Sequence, residues 1–444
     1  MKNTFYISCP IDTYSGYGAR SRDFVKALIE LNEYDVRIIP QKWGSTPMGF
    51  IEDNSKKWGF LQKHLQLQPM TEQPDFWCQV TVPNEFQAIG KYNIGLTAGI
   101  ETNLCSPPWI EGMNRMDLIL TSSEHSKNVL SKTSYKAENK QTGQKSDLFL
   151  TKPIEVIIEG ADLDTYKVIK NNSLKLTSLK DKINSIPEKF AYLAVGHWMQ
   201  GDFGEDRKNL GTLIEKFYGA FQGKKDAPAL LLKCSMAGSS YMSRTLILKN
   251  INDIRNRIQH TSKSKNKKNL PNIYLISGDF LDNEMNELYN HHKVKAMVSL
   301  AHGEGFGRPL LEFSLTGKPI IASGWSGQID FLQKEYTSLL NGELKTIHPS
   351  TIQENILIKD SKWFYPHSNH VNFLLFDVFQ NYQKYKNNAK LQKEFSIKNF
   401  SFEVMKNQIQ KTMETNAPSL PKKVSLNLSG LGDIKMPKKE KVNG

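Results

Sequence analysis

Cysteine is scarce in this 444-residue chain: Cys9, Cys78, Cys105 and Cys234 stand far apart. They supply neither the close pairs of a zinc site nor the density of a disulfide scaffold, which fits a reducing compartment. Long apolar runs are missing as well. No stretch approaches the roughly 20 residues that span a bilayer. The opening Met-Lys-Asn-Thr-Phe-Tyr-Ile-Ser-Cys-Pro reads as a first strand, not as the apolar core of a signal peptide. A cytoplasmic location, with room for peripheral contact with a membrane, is the expectation. Acidic residues are in deficit, 45 against 58 Lys and Arg, which leaves a net charge of +13. The excess gathers in a basic loop, 255–268, and in the tail at 422–441. Such runs are usually solvated, and otherwise they meet an anionic surface, an acidic glycan or nucleic acid.

What is present suffices for two domains, each with its own core. Short apolar runs at 5–9, 36–39, 77–82, 94–100, 117–121 and 154–158 alternate with helical stretches such as the one within 15–31. Strands separated by helices predict a parallel sheet with right-handed crossovers. A second series at 192–195, 229–232, 273–276, 296–300 and 320–322, with helices at 210–221, 283–289 and 309–315, predicts another such sheet. The polar stretch 132–147 reads as a mobile loop, and 395–414 reads as one amphipathic helix. The expected division is a first Rossmann-like domain over 1–188, a second over 189–390, a helix over 391–415 and a basic, disordered tail over 416–444.

One block concentrates the chemistry. Residues 302–321 read His-Gly-Glu-Gly-Phe-Gly-Arg-Pro-Leu-Leu-Glu-Phe-Ser-Leu-Thr-Gly-Lys-Pro-Ile-Ile, with Glu304 and Glu312 separated by seven residues. The apolar run before it suits a buried strand, and Pro309 suits the first turn of a helix, where its missing N–H costs nothing. Gly305, Phe306 and Gly307 then fall on a strand-to-helix loop. Glycines there let backbone N–H groups approach an anion such as a diphosphate. Two acids beside a phosphate site call for something neutral and rich in hydroxyls, because carboxylates accept paired hydrogen bonds from vicinal hydroxyls. A nucleotide-sugar offers both groups.

The block resembles the signature of family-four-type glycosyltransferases of the GT-B architecture, in which Glu, seven residues and Glu lie within Glu-Gly-Phe-Gly-x-Pro-Leu-Leu-Glu. The resemblance implies an α/β fold of two doubly wound domains facing across a cleft, with a C-terminal helix crossing back to the first domain. It also implies that Glu304 faces the donor sugar, that Glu312 holds the ribose, and that the backbone of residues 305–307 holds the diphosphate. In the family an Arg and a Lys neutralise the leaving nucleotide diphosphate. Arg207 and Lys208, in Asp-Arg-Lys-Asn-Leu, match that form, although His197 stands where relatives carry an Arg. Adjacent cations at a helix start oppose its dipole unless they share an anion.

Gly16 and Gly18, after the first strand, are candidates to close over the diphosphate from the other domain; the alternative is an ordinary turn. Glu101, Trp109 and His125 lie in a stretch that lines the acceptor side in relatives, although each also suits core packing or a cap. Asp162-Leu163-Asp164 resembles the inter-domain segment of GT-B enzymes more than a metal-binding Asp-x-Asp. His291 and His292, at a surface helix end, lack partners for a site, so no metal and no cofactor are expected.

The reading is a retaining, metal-independent hexosyl or pentosyl transferase that moves a sugar from a nucleotide-sugar to an acceptor hydroxyl. The acceptor is expected to be a glycan or lipid-linked glycan. One alternative is transfer to modified bases of DNA. From another class, the alternative is a non-catalytic module that binds nucleotide-sugar.

Overall fold

A computed structural model describes residues 2–138, 145–169, 177–236, 239–261 and 269–420. The tail at 422–441 and residues 262–268 of the basic loop lie outside the described residues. Arg255 and Arg257 belong to the helix Tyr241–Thr261, and the Arg257 guanidinium stacks 3.9 Å over the Phe203 ring.

The first half of the chain builds β1 (Thr4–Cys9), β2 (Asp35–Pro40), β3 (Phe76–Val80), β4 (Tyr92–Leu96), β5 (Leu118–Thr121), β6 (Ser134–Glu138), β7 (Lys145–Phe149) and β8 (Ile154–Val156). Six of these form a parallel sheet in the order β2-β1-β3-β4-β5-β8. Every residue of β3 and β5 is buried, as befits strands covered by helices on both faces. The remaining pair, β6 and β7, corrects the expectation of a mobile loop over 132–147, because its described residues form an antiparallel hairpin. Tyr135 and Leu148 pack on the cluster around Trp77 and Trp109, while Lys136 and Asp147 pair on the outer side at 2.6 Å. Two inward residues anchor a hairpin whose composition is otherwise that of a loop.

The second half builds β9 (Ala191–His197), β10 (Ala229–Ser235), β11 (Ile273–Ile276), β12 (Val294–Ser299), β13 (Ile320–Ser323) and β14 (Ser338–Leu340), ordered β11-β10-β9-β12-β13-β14. An antiparallel pair not expected from the sequence, β15 (Gly342–Thr346) and β16 (Lys362–Pro366), follows. The helix expected over 395–414 is in fact two, Tyr382–Asn399 and Phe402–Asn416, because the Ser401 hydroxyl accepts from Val404 N–H and starts a new helix. Beside that break, Ala161 N–H donates to Phe400 O, and Phe402 N–H donates to Ala161 O. The last helix thereby returns to the first domain and buries Phe402, Met405, Ile409 and Met413. Arg20, fully buried in the first-domain helix Gly16–Leu31, donates to the carbonyls of Ile157 and Ile158 beneath it.

Candidate active site

Each sheet reverses its strand order once, between β1 and β3 in the first and between β9 and β12 in the second. Crossovers diverge at such points and leave a crevice at the carboxyl ends of the strands. The two crevices face one another across a cleft of about 640 Å³, lined from both halves of the chain.

On the second-domain wall, the loop after β9 delivers Arg207 and Lys208. Asn209 takes a left-handed conformation (φ 53°), and the helix Leu210–Phe221 starts beyond it. The loop after β12 delivers Glu304. Its carboxylate accepts from Lys208 Nζ at 2.5 Å and from an Arg207 terminal nitrogen at 2.9 Å, while Arg207 Nε lies 3.6 Å from Glu101 of the first domain. Burial alone would raise the Glu304 carboxyl, but Lys208 and Arg207 hold it below the usual carboxylate range. Both cations are thus preorganised and largely shielded from water.

Close approach of the two walls accounts for two glycines. A Cβ on Gly303 would lie 1.9 Å from the Glu101 carbonyl oxygen, and one on Gly305 would lie 2.2 Å from that of Ala98. First-domain backbone therefore packs directly on the loop 303–305, a contact that no motif announces. Gly307 has a separate reason, a φ of +101° at the start of the helix Arg308–Ser314.

Known structures share this fold at low sequence identity. HepE from Anabaena in complex with UDP-glucose superposes with a TM-score of 0.59 at 12% identity, covering 93% of this chain and 100% of that one. Sucrose-phosphate synthase from Thermosynechococcus elongatus gives 0.58 at 12%, over 94% and 99%. The N-terminal domain of Candida albicans trehalose-6-phosphate phosphatase gives 0.58 at 11%, over 94% and 97%. The chain has the GT-B fold. No family model matches it, and neither does any curated protein sequence.

Within the GT-B cleft the structure brings together Arg207, Lys208, Glu304, Gly305, Phe306, Gly307, Gly16, Glu101 and Trp109. Three candidates lie elsewhere. Gly18 sits in the first turn of the first-domain helix, where a Cβ would meet the Thr13 carbonyl at 2.4 Å. His125 lines a separate recess with Asp330, its ring edge-on to Trp325 at 4.6 Å. Burial pushes its imidazole down to about 4. Glu312 is buried and is not among the residues lining the cleft. His291, expected at the surface, is buried beside Asn184.

Arg308 stands between Glu312 and the cleft. Its Nε donates to Glu312 at 2.9 Å, and a terminal nitrogen lies 2.5 Å from Asp23 and 3.8 Å from Glu159, both of the first domain. Tyr289 donates its hydroxyl to the other Glu312 oxygen at 3.3 Å. Sequence reasoning passed over Arg308 although it lies inside the conspicuous block. Lys233, also in the cleft, was signalled by its place as a lone cation in the apolar run Ala-Leu-Leu-Leu-Lys-Cys-Ser of β10. Tyr17 lies between the two candidate glycines but carried no signal of its own, and Trp43 belongs to no motif.

Burial, with Asp282 adding to it and Arg308 opposing it, pushes the Glu312 carboxyl up to about 7. A raised carboxyl means that the folded state holds the proton more tightly than the unfolded chain. Its contribution is complete below the ordinary value of 4.5 and is lost as the pH rises through about 7. Relative to Glu312→Gln, the native protein should therefore lose stability between pH 5 and pH 7.5, by at most about 3 kcal/mol. Urea unfolding of both proteins at the two pH values reads this directly; parallel pH profiles would contradict it.

Proposed function

We propose that this protein transfers a glycosyl group from a nucleotide-sugar to an acceptor hydroxyl, with retention at the anomeric carbon and without a divalent cation. The observation that carries the reading is the convergence of Arg207, Lys208, Glu304 and the loop 305–307 at the switch point of the second sheet, across a cleft from the first domain. Of the proteins that share the fold, HepE holds UDP-glucose.

In this reading the bond between the anomeric carbon and the diphosphate oxygen breaks, and its electron pair stays on that oxygen. Arg207 and Lys208 stabilise the growing charge, as a metal ion does elsewhere. The acceptor oxygen bonds to the anomeric carbon, and the hydroxyl proton leaves with the diphosphate. Glu304, which pairs with both cations before donor arrives, turns toward the sugar hydroxyls when phosphates replace it. Glu312 is assigned to the ribose, which requires Arg308 to swing aside. Closure of the cleft keeps water from the donor.

Thermal stabilisation by a panel of nucleotide-sugars, followed by assay of slow donor hydrolysis, tests the reading. Binding of at least one member with release of its nucleotide is expected. Binding without release under any acceptor would favour a non-catalytic module, and absence of binding would remove the proposal.

A further inference from the structure

The two walls of the cleft differ sharply in charge. Among its described lining residues every lysine and arginine belongs to the second domain: Arg207, Lys208, Lys233 and Arg308. The described lining of the first-domain wall is aromatic, acidic or small and apolar, with Tyr17, Trp43, Trp109, Glu101 and Glu159 among its larger side chains. Tyr17 and Trp43 form a stacked pair with ring centres 3.9 Å apart and planes inclined by 23°. The Tyr17 hydroxyl is 3.0 Å from Thr97 Oγ1 at the end of β4, which ties the pair to the sheet. Trp43 itself lies on the connection after β2 and is half-buried, with a face left to the cleft.

Resting on the donor reading above, we infer that the acceptor is an uncharged glycosyl residue seated on the Trp43–Tyr17 platform, and that phosphorylated acceptors are rejected. An aromatic face takes up the apolar C–H face of a sugar ring, and carboxylates such as Glu101 accept hydrogen bonds from its hydroxyls. A phosphate on the same wall meets no cation there. It faces Glu101 and Glu159, which already engage Arg207 and Arg308 from across the cleft, so a further anion beside them is repelled and its desolvation is poorly compensated. The four cations across the cleft are committed to Glu304, to the Gly278 carbonyl, and to Asp23, Glu159 and Glu312, or to the donor diphosphate. A nucleic acid backbone is disfavoured for the same reason, although its bases could stack.

The test uses the full chain, a donor found by the nucleotide-sugar panel, and three acceptor sets: neutral alkyl and aryl hexosides, the same hexosides 6-phosphorylated, and a short DNA duplex. Transfer to neutral hexosides is expected, with kcat/KM at least about tenfold above that of the phosphorylated forms. Trp43→Ala should raise the acceptor KM about tenfold or more, with the donor dissociation constant moving less than twofold and Trp43→Phe restoring most of the loss. Preference for the phosphorylated hexosides or for DNA would overturn the inference. So would an unchanged acceptor KM in Trp43→Ala, or a protein that hydrolyses donor yet uses no neutral hexoside. A native protein that binds no nucleotide-sugar at all fails earlier, at the donor reading, and takes this inference with it.

Discussion

Replacing Lys208 with methionine is expected to lower kcat for sugar transfer about 10²–10³-fold while the protein stays folded. The ammonium lies at hydrogen-bond distance from Glu304 in a site largely closed to water, so in the proposed reaction its charge would need little reorganisation when a leaving diphosphate took the place of that carboxylate. The side-chain stem passes over Gly196, where even a Cβ would come within 3.3 Å of Lys208 Cγ. Methionine fills that channel without the charge. Glu304 keeps Arg207 as a partner in the variant, so no carboxylate is left buried without a cation. The loss should therefore fall mainly on turnover and less on donor affinity, and single-turnover kinetics beside nucleotide titration separate the two. A loss smaller than about fivefold in kcat would remove Lys208 from its role at the leaving group.

Arg308→Met should cost stability instead, about 3–5 kcal/mol near pH 8. Arg308 bridges Asp23, Glu159 and Glu312 at one point, with Arg20 near the first two, and those two come from the other domain. Removing it leaves carboxylates that burial already disfavours in their charged form, as the raised Glu159 and Glu312 carboxyls show. The sign with pH follows. As the pH falls from 8 to 5 the Glu312 carboxyl, pushed up to about 7, takes up its proton and no longer needs the guanidinium, so the deficit of the variant relative to the native protein should shrink. Denaturant unfolding across that range measures it. A deficit below about 1 kcal/mol, or one that grows toward pH 5, would show that the cluster is not a compensated buried network.

The doubly wound plan was legible because both sheets are parallel and buried on both faces, so their strands stand out as short apolar runs between helices. Elements held by a few inward residues were not. The hairpin of β6 and β7 rests on Tyr135 and Leu148 amid polar neighbours, and the break at Phe400 is set by a serine cap and a backbone bridge to Ala161, neither of which disturbs the apolar period.

At the site, local sequence carried the loop 303–307, the acids Glu304 and Glu312 and the Arg207–Lys208 pair, since glycine conformation, a proline at a helix start and adjacent cations are properties of neighbouring residues. By itself it determined that a glycine-rich turn with a carboxylate on either side follows a buried strand. Only the tertiary structure decided which groups meet: that Glu304 lies between Lys208 and Arg207, that Arg308 screens Glu312 from the cleft, and that Trp43 stacks on Tyr17 opposite every cation in the lining. Apart from Arg308 and Glu312, one helical turn apart, those pairings join residues tens of positions apart. Their energies come from burial and charge compensation, which exist only once the strands and loops that carry these residues have folded together.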